Sequence, residues 1–382
     1  MKTYDYIIAG GGASGLLMAY RFARDSWYDD KEILIIEKGG KRENDRTWCY
    51  WEEGKGEFDS ILFHTWEQGL FRSDQELEFE FAPYRYKMLR SKPFYEYMRS
   101  VIGKRNNIEI LQAHVEGIEE KESGGVRVKT DQGYREAHRC LNSILDARPV
   151  LKQQRYPLIL QHFIGWFVET EKPVFDPARM TFMDFSVPQK GNTRFMYVLP
   201  FSANYALVEY TLFSAETLEE QEYENSIRDY LDDLGAGQYT IVEKEQGRIP
   251  MTCYPFEKEN SRDLLHIGTA GGWTKPSTGY TFMNTITYSE RLSEFMKKDL
   301  PLHRFPKRDR FWYYDLLLID VLYHRNEMGK KIFGMMFKNN PVSKIMRFLD
   351  NRTRLSDELR IILTTPTPPF LKALLKRISG GF

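Results

Sequence analysis

The chain is 382 residues long, more than one hydrophobic core usually serves, so two or more cooperating domains are expected. Apolar residues make up 42% and the formal charge is +0, which excludes a disordered or strongly polyionic chain. Three widely spaced cysteines (Cys49, Cys140, Cys253) exclude a disulfide framework, and seven histidines without ligand spacing predict no metal site.

Tyr4 to Ala9 is a short run of β-formers that ends in Gly10-Gly11-Gly12. Ser14 to Arg24 then predicts a helix, with Leu16, Leu17, Tyr20 and Ala23 at helical spacing. Glu32 to Glu37 completes a βαβ unit as a second buried strand. Pro93 to Arg105 predicts a further helix, and Ile108 to Leu111 and Ser143 to Asp146 predict strands. From Tyr156 to about Ile249 alternation takes over in FIGWFVE, MTFMDF, TRFMYVLP and YALVEYTLF, which predicts an inserted antiparallel sheet. Leu264 to Gly279 returns to strand, glycine loop and helix start. After Pro301 the pattern is helical and amphipathic: FWYYDLLLIDVLYH, KKIFGMMF, VSKIMRFL and FLKALLKRI. This last region carries 16 Lys plus Arg against 7 Asp plus Glu, so a basic tail follows an acidic body. Such a tail suits an anionic surface, either nucleic acid or the cytoplasmic membrane face. No run approaches the ~18 apolar residues that span a bilayer, and no signal-peptide pattern opens the chain. Any membrane contact is therefore expected to be peripheral, on the cytoplasmic side.

Gly10-x-Gly12-x-x-Gly15 has the spacing of a dinucleotide turn, with Ala13 and Ser14 opening the helix. The first glycine allows the turn, the second admits a pyrophosphate, and the third lets helix and strand approach. Glu37, at the end of the next strand, is expected to accept from a ribose hydroxyl, which favours FAD or NAD. A second glycine loop at Gly268-Thr269-Ala270-Gly271, followed by Pro276-Ser277-Thr278-Gly279, favours FAD. Its amides suit the pyrimidine edge and ribityl chain of a flavin. The expected fold is α/β, with a Rossmann-like FAD-binding domain built from residues 1–75, 86–155 and 260–300. Residues 76–85 and 156–259 are expected to form an inserted antiparallel β-sheet substrate domain, and 301–382 a C-terminal helical region.

Several segments together resemble the lycopene cyclase family of flavoproteins. They are GGGASGL, Asp45-Arg46-Thr47-Trp48-Cys49, Tyr86-Lys87-Met88-Leu89-Arg90-Ser91 and Asp146-Ala147-Arg148-Pro149. The similarity continues through Gln161-His162-Phe163, Phe182-Met183-Asp184-Phe185, Phe195 to Phe201, Gly247 to Met251 and Pro276 to Tyr280. The resemblance implies an aromatic-hydroxylase-like fold and closure of the ψ-ends of lycopene into β-ionone rings, through γ-carotene to β-carotene. It implies reduced FAD without net redox change, NADPH as electron donor, and flavin contacts from Arg46, Arg90 and Asp146. Two positions depart from the wider pattern, Thr269 for an aspartate and Lys275 for a histidine. A lycopene substrate also favours lipid over nucleic acid as the tail's partner; Phe311, Trp312, Leu316, Phe333, Met335, Met336 and Phe337 are expected to dock on lipid or to cap the flavin domain, in a mixture with part of this apolar surface lining the substrate tunnel.

Protonating an alkene and steadying the resulting cation requires a strong acid, a negative or π-rich wall and exclusion of water. Glu209 is the first candidate acid, because alternation puts it with Leu207, Thr211 and Phe213 on one apolar face. Glu209 also matches the family's essential glutamate, while Tyr210 stands at its second acidic position, which weakens a paired-carboxylate mechanism. Asp184 in FMDF is either a catalytic partner or a structural aspartate. Glu245 is a weaker candidate, since Lys244 and Arg248 offer it ion pairs. Trp48, Tyr50 and Trp51 offer cation–π contact or simple core packing. The rival functions are a flavin monooxygenase or prenyl reductase, and a non-catalytic flavin- or lipid-binding protein.

Overall fold

The computed structural model describes residues 2–305 and 308–380. It opens with β1 (Thr3–Ala9), α1 (Ala13–Arg24) and β2 (Ile33–Glu37). Five strands follow: β3 (Thr47–Glu53), β4 (His64–Trp66), β5 (Gln68–Arg72), β6 (Glu76–Glu80) and β7 (Tyr84–Arg90). After α2 (Ser91–Ile102) come β8 (Ile108–Gln112), β9 (Val115–Glu120), β10 (Val126–Thr130), β11 (Gly133–Asn142) and the short α3 (Arg148–Lys152). The inserted region holds β12 (Leu158–Thr170), β13 (Arg179–Asp184), β14 (Thr193–Pro200), β15 (Tyr205–Ser214), α4 (Glu220–Asp233) and β16 (Tyr239–Thr252). The chain then returns through β17 (Leu264–His266) and α5 (Phe282–Met296). It ends in α6 (Phe311–His324), α7 (Gly329–Asn339), α8 (Val342–Leu349), α9 (Leu355–Leu363) and α10 (Thr367–Ile378).

The first sheet has the order β8-β2-β1-β11-β10-β9, with β17 also paired to β11. Its central parallel strands β1 and β2 are near-continuous apolar runs, buried on one face under α1, α2 and α5, whereas the outer β8 is largely exposed. The second sheet runs β16-β12-β15-β14-β13-β5-β6 and is antiparallel except where β13 meets β5. Its alternation sorts two faces. Val208, Tyr210 and Leu212 pack under α4, while Leu207 and Phe213 join the larger core against α7. A third sheet, β3-β7-β4, joins the two.

Four expectations are corrected. Ser143 to Asp146 is not a strand, because β11 ends at Asn142 and the chain turns outward toward the first glycine turn. The late glycine loop does not open a helix: a single turn at Gly268–Gly271 comes first, and α5 starts at Phe282. Gln68–Arg72 belongs with the second sheet and not the nucleotide-binding unit, because it pairs with β13. Of the tail residues, Phe311, Leu316, Phe333, Met336 and Phe337 are buried, which corrects their lipid-docking role, while Phe333, Met336 and Phe337 pack onto the second sheet and line the cavity, as the tunnel-lining alternative expects.

Candidate active site

The first turn is built by close approach. Gly10 has φ +95, and a Cβ on Gly15 would lie 1.9 Å from the Gly10 carbonyl oxygen, so α1 can seat on β1 only with glycine there. Glu37 accepts from the Gly11 amide at 2.6 Å and from Gly39 at 2.9 Å, closing the turn at the end of β2. Gly12, Ala13 and Ser14 face a cavity of about 1090 Å³, and a Cβ on Gly12 would meet no neighbour. Lys41, Arg46, Thr269, Thr278 and Gly279 line the same space. Gly268, Gly271 and Pro276 shape the loop behind them, with Gly268 abutting Ser14. Gln161 Oε1 lines this cavity buried and without a protein partner. Helix-terminal amides, two basic side chains and an unpaired buried polar atom around one large cavity fit an anionic dinucleotide such as FAD.

Two candidates lie outside the cavity. Arg90 is buried against Glu243, with its guanidinium 4.5 Å from the Phe167 ring centroid, so it does not line the site. Asp146 is exposed and held by Arg148 at 2.9 Å, while its neighbours Ser143 and Leu145 reach the lining. The departures are explained in part. Thr269 bonds Thr274 at 3.1 Å, and Lys275 is buried in an ion pair with Asp315 at 3.0 Å, fastening the late loop to α6.

At the far end of the cavity, alternation puts Glu209 of β15 inward with Leu207, Thr211 and Phe213. Thr211 donates to the Glu209 carboxyl at 2.5 Å. The cross-strand register adds what strand order conceals. Gly165 on β12 pairs with Glu209 on one side and with Glu245 of β16 on the other. A Cβ on Gly165 would lie 3.4 Å from Glu209 Cβ and 3.3 Å from Glu245 Cγ. The glycine thus leaves a gap over which two carboxyl side chains face each other, their Cα atoms two strands or roughly 10 Å apart. Lys244 is drawn away to Glu224, and Thr47 donates to Glu245 at 2.6 Å.

Burial first, and the Glu245 charge second, push the Glu209 carboxyl up to about 8. Burial also raises Glu245, but the Thr47 hydrogen bond and the Arg90 charge pull it back. Of the coupled pair, Glu245 ionises first and Glu209 keeps its proton.

Asp184 is fully buried elsewhere, accepting from Arg72 at 2.9 Å, Tyr230 at 3.0 Å and the Ser186 amide at 2.8 Å. This matches the structural alternative: its three bonds tie β13, β5 and α4 together. Asp184→Ala is expected to cost about 3 kcal/mol, because it strands the Tyr230 hydroxyl and the Ser186 amide and leaves Arg72 only its Glu76 partner. Urea unfolding checks this; a variant of unchanged stability with lost turnover would return Asp184 to the chemistry.

Residues that strand-by-strand inspection missed complete the wall. Tyr86 bonds Tyr197 at 2.7 Å and Tyr280 at 2.9 Å, and Phe182, Phe195 and Phe213 stand beside them. Each tyrosine sits in a different segment (YKMLRS, FMYVLPF, PSTGY), so only membership of those segments hinted at them. Trp48 lines the cavity, stacked 5.3 Å from Phe282, whereas Tyr50 and Trp51 are buried in the core.

A parallel sheet with a glycine turn, an inserted antiparallel sheet and a cavity running between them define the fold of FAD-dependent, monooxygenase-like flavoproteins. A geranylgeranyl bacteriochlorophyll reductase-like protein from Thermoplasma acidophilum superposes with a TM-score of 0.62 at 13% identity, covering 97% of this chain and 98% of that one. A p-nitrophenol 4-monooxygenase from Pseudomonas putida gives 0.59 at 15% identity, covering 100% and 99%. The chain belongs to the lycopene cyclase family, whose sequence profile matches residues 5–375. It is 25% identical to a lycopene beta-cyclase of Pantoea ananas over 97% of both chains. Among the described residues no helix is long and apolar enough to cross a membrane, and no cluster of potential metal ligands occurs.

Proposed function

We propose that this chain cyclises the ψ-ends of lycopene to β-ionone rings, giving γ-carotene and then β-carotene. The observation that carries this reading is a buried Glu209 facing Glu245 across Gly165, in an aromatic cavity continuous with a dinucleotide cradle. Glu209 adds its proton to a terminal C=C, the neighbouring double bond attacks the tertiary cation, and Glu245 takes the ring proton. Atoms balance and no electrons are exchanged with substrate; proton return between the carboxyls resets the pair for the next ring. The Tyr86, Tyr197 and Tyr280 rings and the three phenylalanines steady the cation by their π faces and keep water out.

Gly12, Ala13, Ser14, Arg46, Thr269, Thr278 and Gly279 would hold FAD, with Glu37 bracing the turn. When bound in its reduced form, with NADPH as electron donor, the flavin would supply negative charge to the cavity. The test is anaerobic incubation with FAD, excess reductant and lycopene, followed by pigment separation and mass measurement. Ring-closed product of unchanged mass is expected. Hydrogenated or oxygenated product would instead assign a reductase or monooxygenase, and no product a binding protein.

Activity should fall on both sides of an optimum. The alkaline limb is expected near pH 8, where Glu209 loses its proton, and the acid limb marks protonation of Glu245. A flat profile from about pH 6 to about pH 9.5, measured under anaerobic conditions at saturating FAD, would contradict the assignment of the pair.

A further inference from the structure

The last two helices turn their apolar residues outward. On α9, Leu355, Leu359 and Leu363 are exposed, at a spacing of four residues. On α10, Leu371, Leu374, Leu375 and Ile378 form a second stripe, with Leu375 and Ile378 65% and 73% exposed. The orientation is held from inside. Phe370 and Ala373 pack on the main cluster, and Arg377 on the same face is paired with Asp320 of α6 at 2.7 Å. Turning α10 to bury its leucines would break this contact, so the stripe is the face the fold leaves for a partner.

The charge around the stripes selects that partner. Between residues 351 and 380 there are six Lys or Arg and two acids. Both acids are engaged, Glu358 buried against Arg310 at 2.8 Å and Asp357 with Lys344 at 2.7 Å. Arg354, Arg360, Lys372 and Lys376 are exposed beside the leucines. Short amphipathic helices with apolar stripes and basic flanks match the interface of an anionic bilayer, into which they would dip without crossing. Ile361 and Phe370 belong to or pack on the same cluster as Phe333, Met336 and Phe337, which line the cavity.

We infer that α9 and α10 form a peripheral docking surface for an anionic lipid bilayer, set on the outer side of the helical wall of the cavity. This deepens the cyclase reading by naming the phase that delivers its substrate, and its primary test needs no turnover. The full-length chain is floated with phosphatidylcholine vesicles, with and without phosphatidylglycerol. A variant with Leu371→Ser, Leu375→Ser and Ile378→Ser is compared, and a second carries Leu359→Ser and Leu363→Ser; circular dichroism melting monitors folding. The parent should float with anionic vesicles, more weakly with neutral ones or at high salt, and each variant should bind at least about tenfold more weakly while melting unchanged. A parent that stays in solution, or a folded variant that floats equally well, would overturn the proposal. So would a parent dimer that the substitutions dissociate, with no vesicle binding, since a second copy would then be the partner. With lycopene in detergent the variants should cyclise like the parent, but with lycopene in vesicles they should not. Vesicle binding by a parent that cyclises nothing in detergent would refute the cyclase reading and leave the docking surface standing.

Discussion

Glu209→Gln is expected to lower lycopene cyclisation by about 10³-fold, with FAD binding and fold retained. Glutamine keeps the shape of the carboxyl and can still accept from Thr211, but it has no proton to give an alkene. The same substitution should change stability in a way that identifies the cause. The folded-state value of Glu209, about 8, lies above its ordinary 4.5. Between those two values the folded protein holds a proton that the unfolded chain has released, so parental stability falls as pH rises through that window. Above it the deficit is constant. Glu209→Gln removes the titration, so the variant should gain thermal stability relative to the parent from about pH 5 to pH 8. Melting curves across that range check this. An active variant would remove Glu209 from the chemistry, and an inactive one without the stability gain would mean that its carboxyl is not held protonated.

Glu245→Gln should reduce turnover by about 10²-fold or more, through loss of the base. It should also shift the alkaline limb to lower pH, because the Glu245 charge is one of the two causes that raise Glu209. A purely structural Glu245 would lower activity without moving the limb. Gly165→Ala attacks the same pair from the backbone side. Its Cβ would sit 3.0 Å from Leu207 Cδ1 as well as against both glutamates, so the side chains must give way. A displacement of about 1 Å is enough for a loss on the order of 10²-fold with little change in FAD affinity. Full activity in Gly165→Ala would show that the gap between the carboxyls is unimportant.

The two carboxylates show where linear reading stops. Glu209 was legible because Leu207, Thr211 and Phe213 flank it at a period of two on a single strand. Glu245 is the weaker candidate in the sequence because Lys244 and Arg248 are its neighbours there, yet alternation sends both to the other side of β16, where Lys244 meets Glu224. The missing second acid at Tyr210 was likewise weighed along one strand, while the structural partner comes from β16 across β12. Asp184 had the opposite history: its apolar surroundings suggested a perturbed acid, but they conceal three donors from separate elements.

The tail follows the same logic. Its helices were readable from their period, but a helical period does not say which of two apolar stripes faces inward. Phe333 and Met336 went to the core and Leu375 and Ile378 to the surface, because Phe370, Ala373 and Arg377 claim the inner side of α10.

By itself the sequence determined the βαβ glycine turn, the inserted alternating strands, the helical end and Glu209, since each depends on residues within one turn or one strand. Tertiary structure alone decided that Glu245 faces Glu209 over Gly165, that three distant tyrosines meet, and which leucines stay outside. Those outcomes depend on strand register and on competition for buried surface, which are set between elements far apart in the chain.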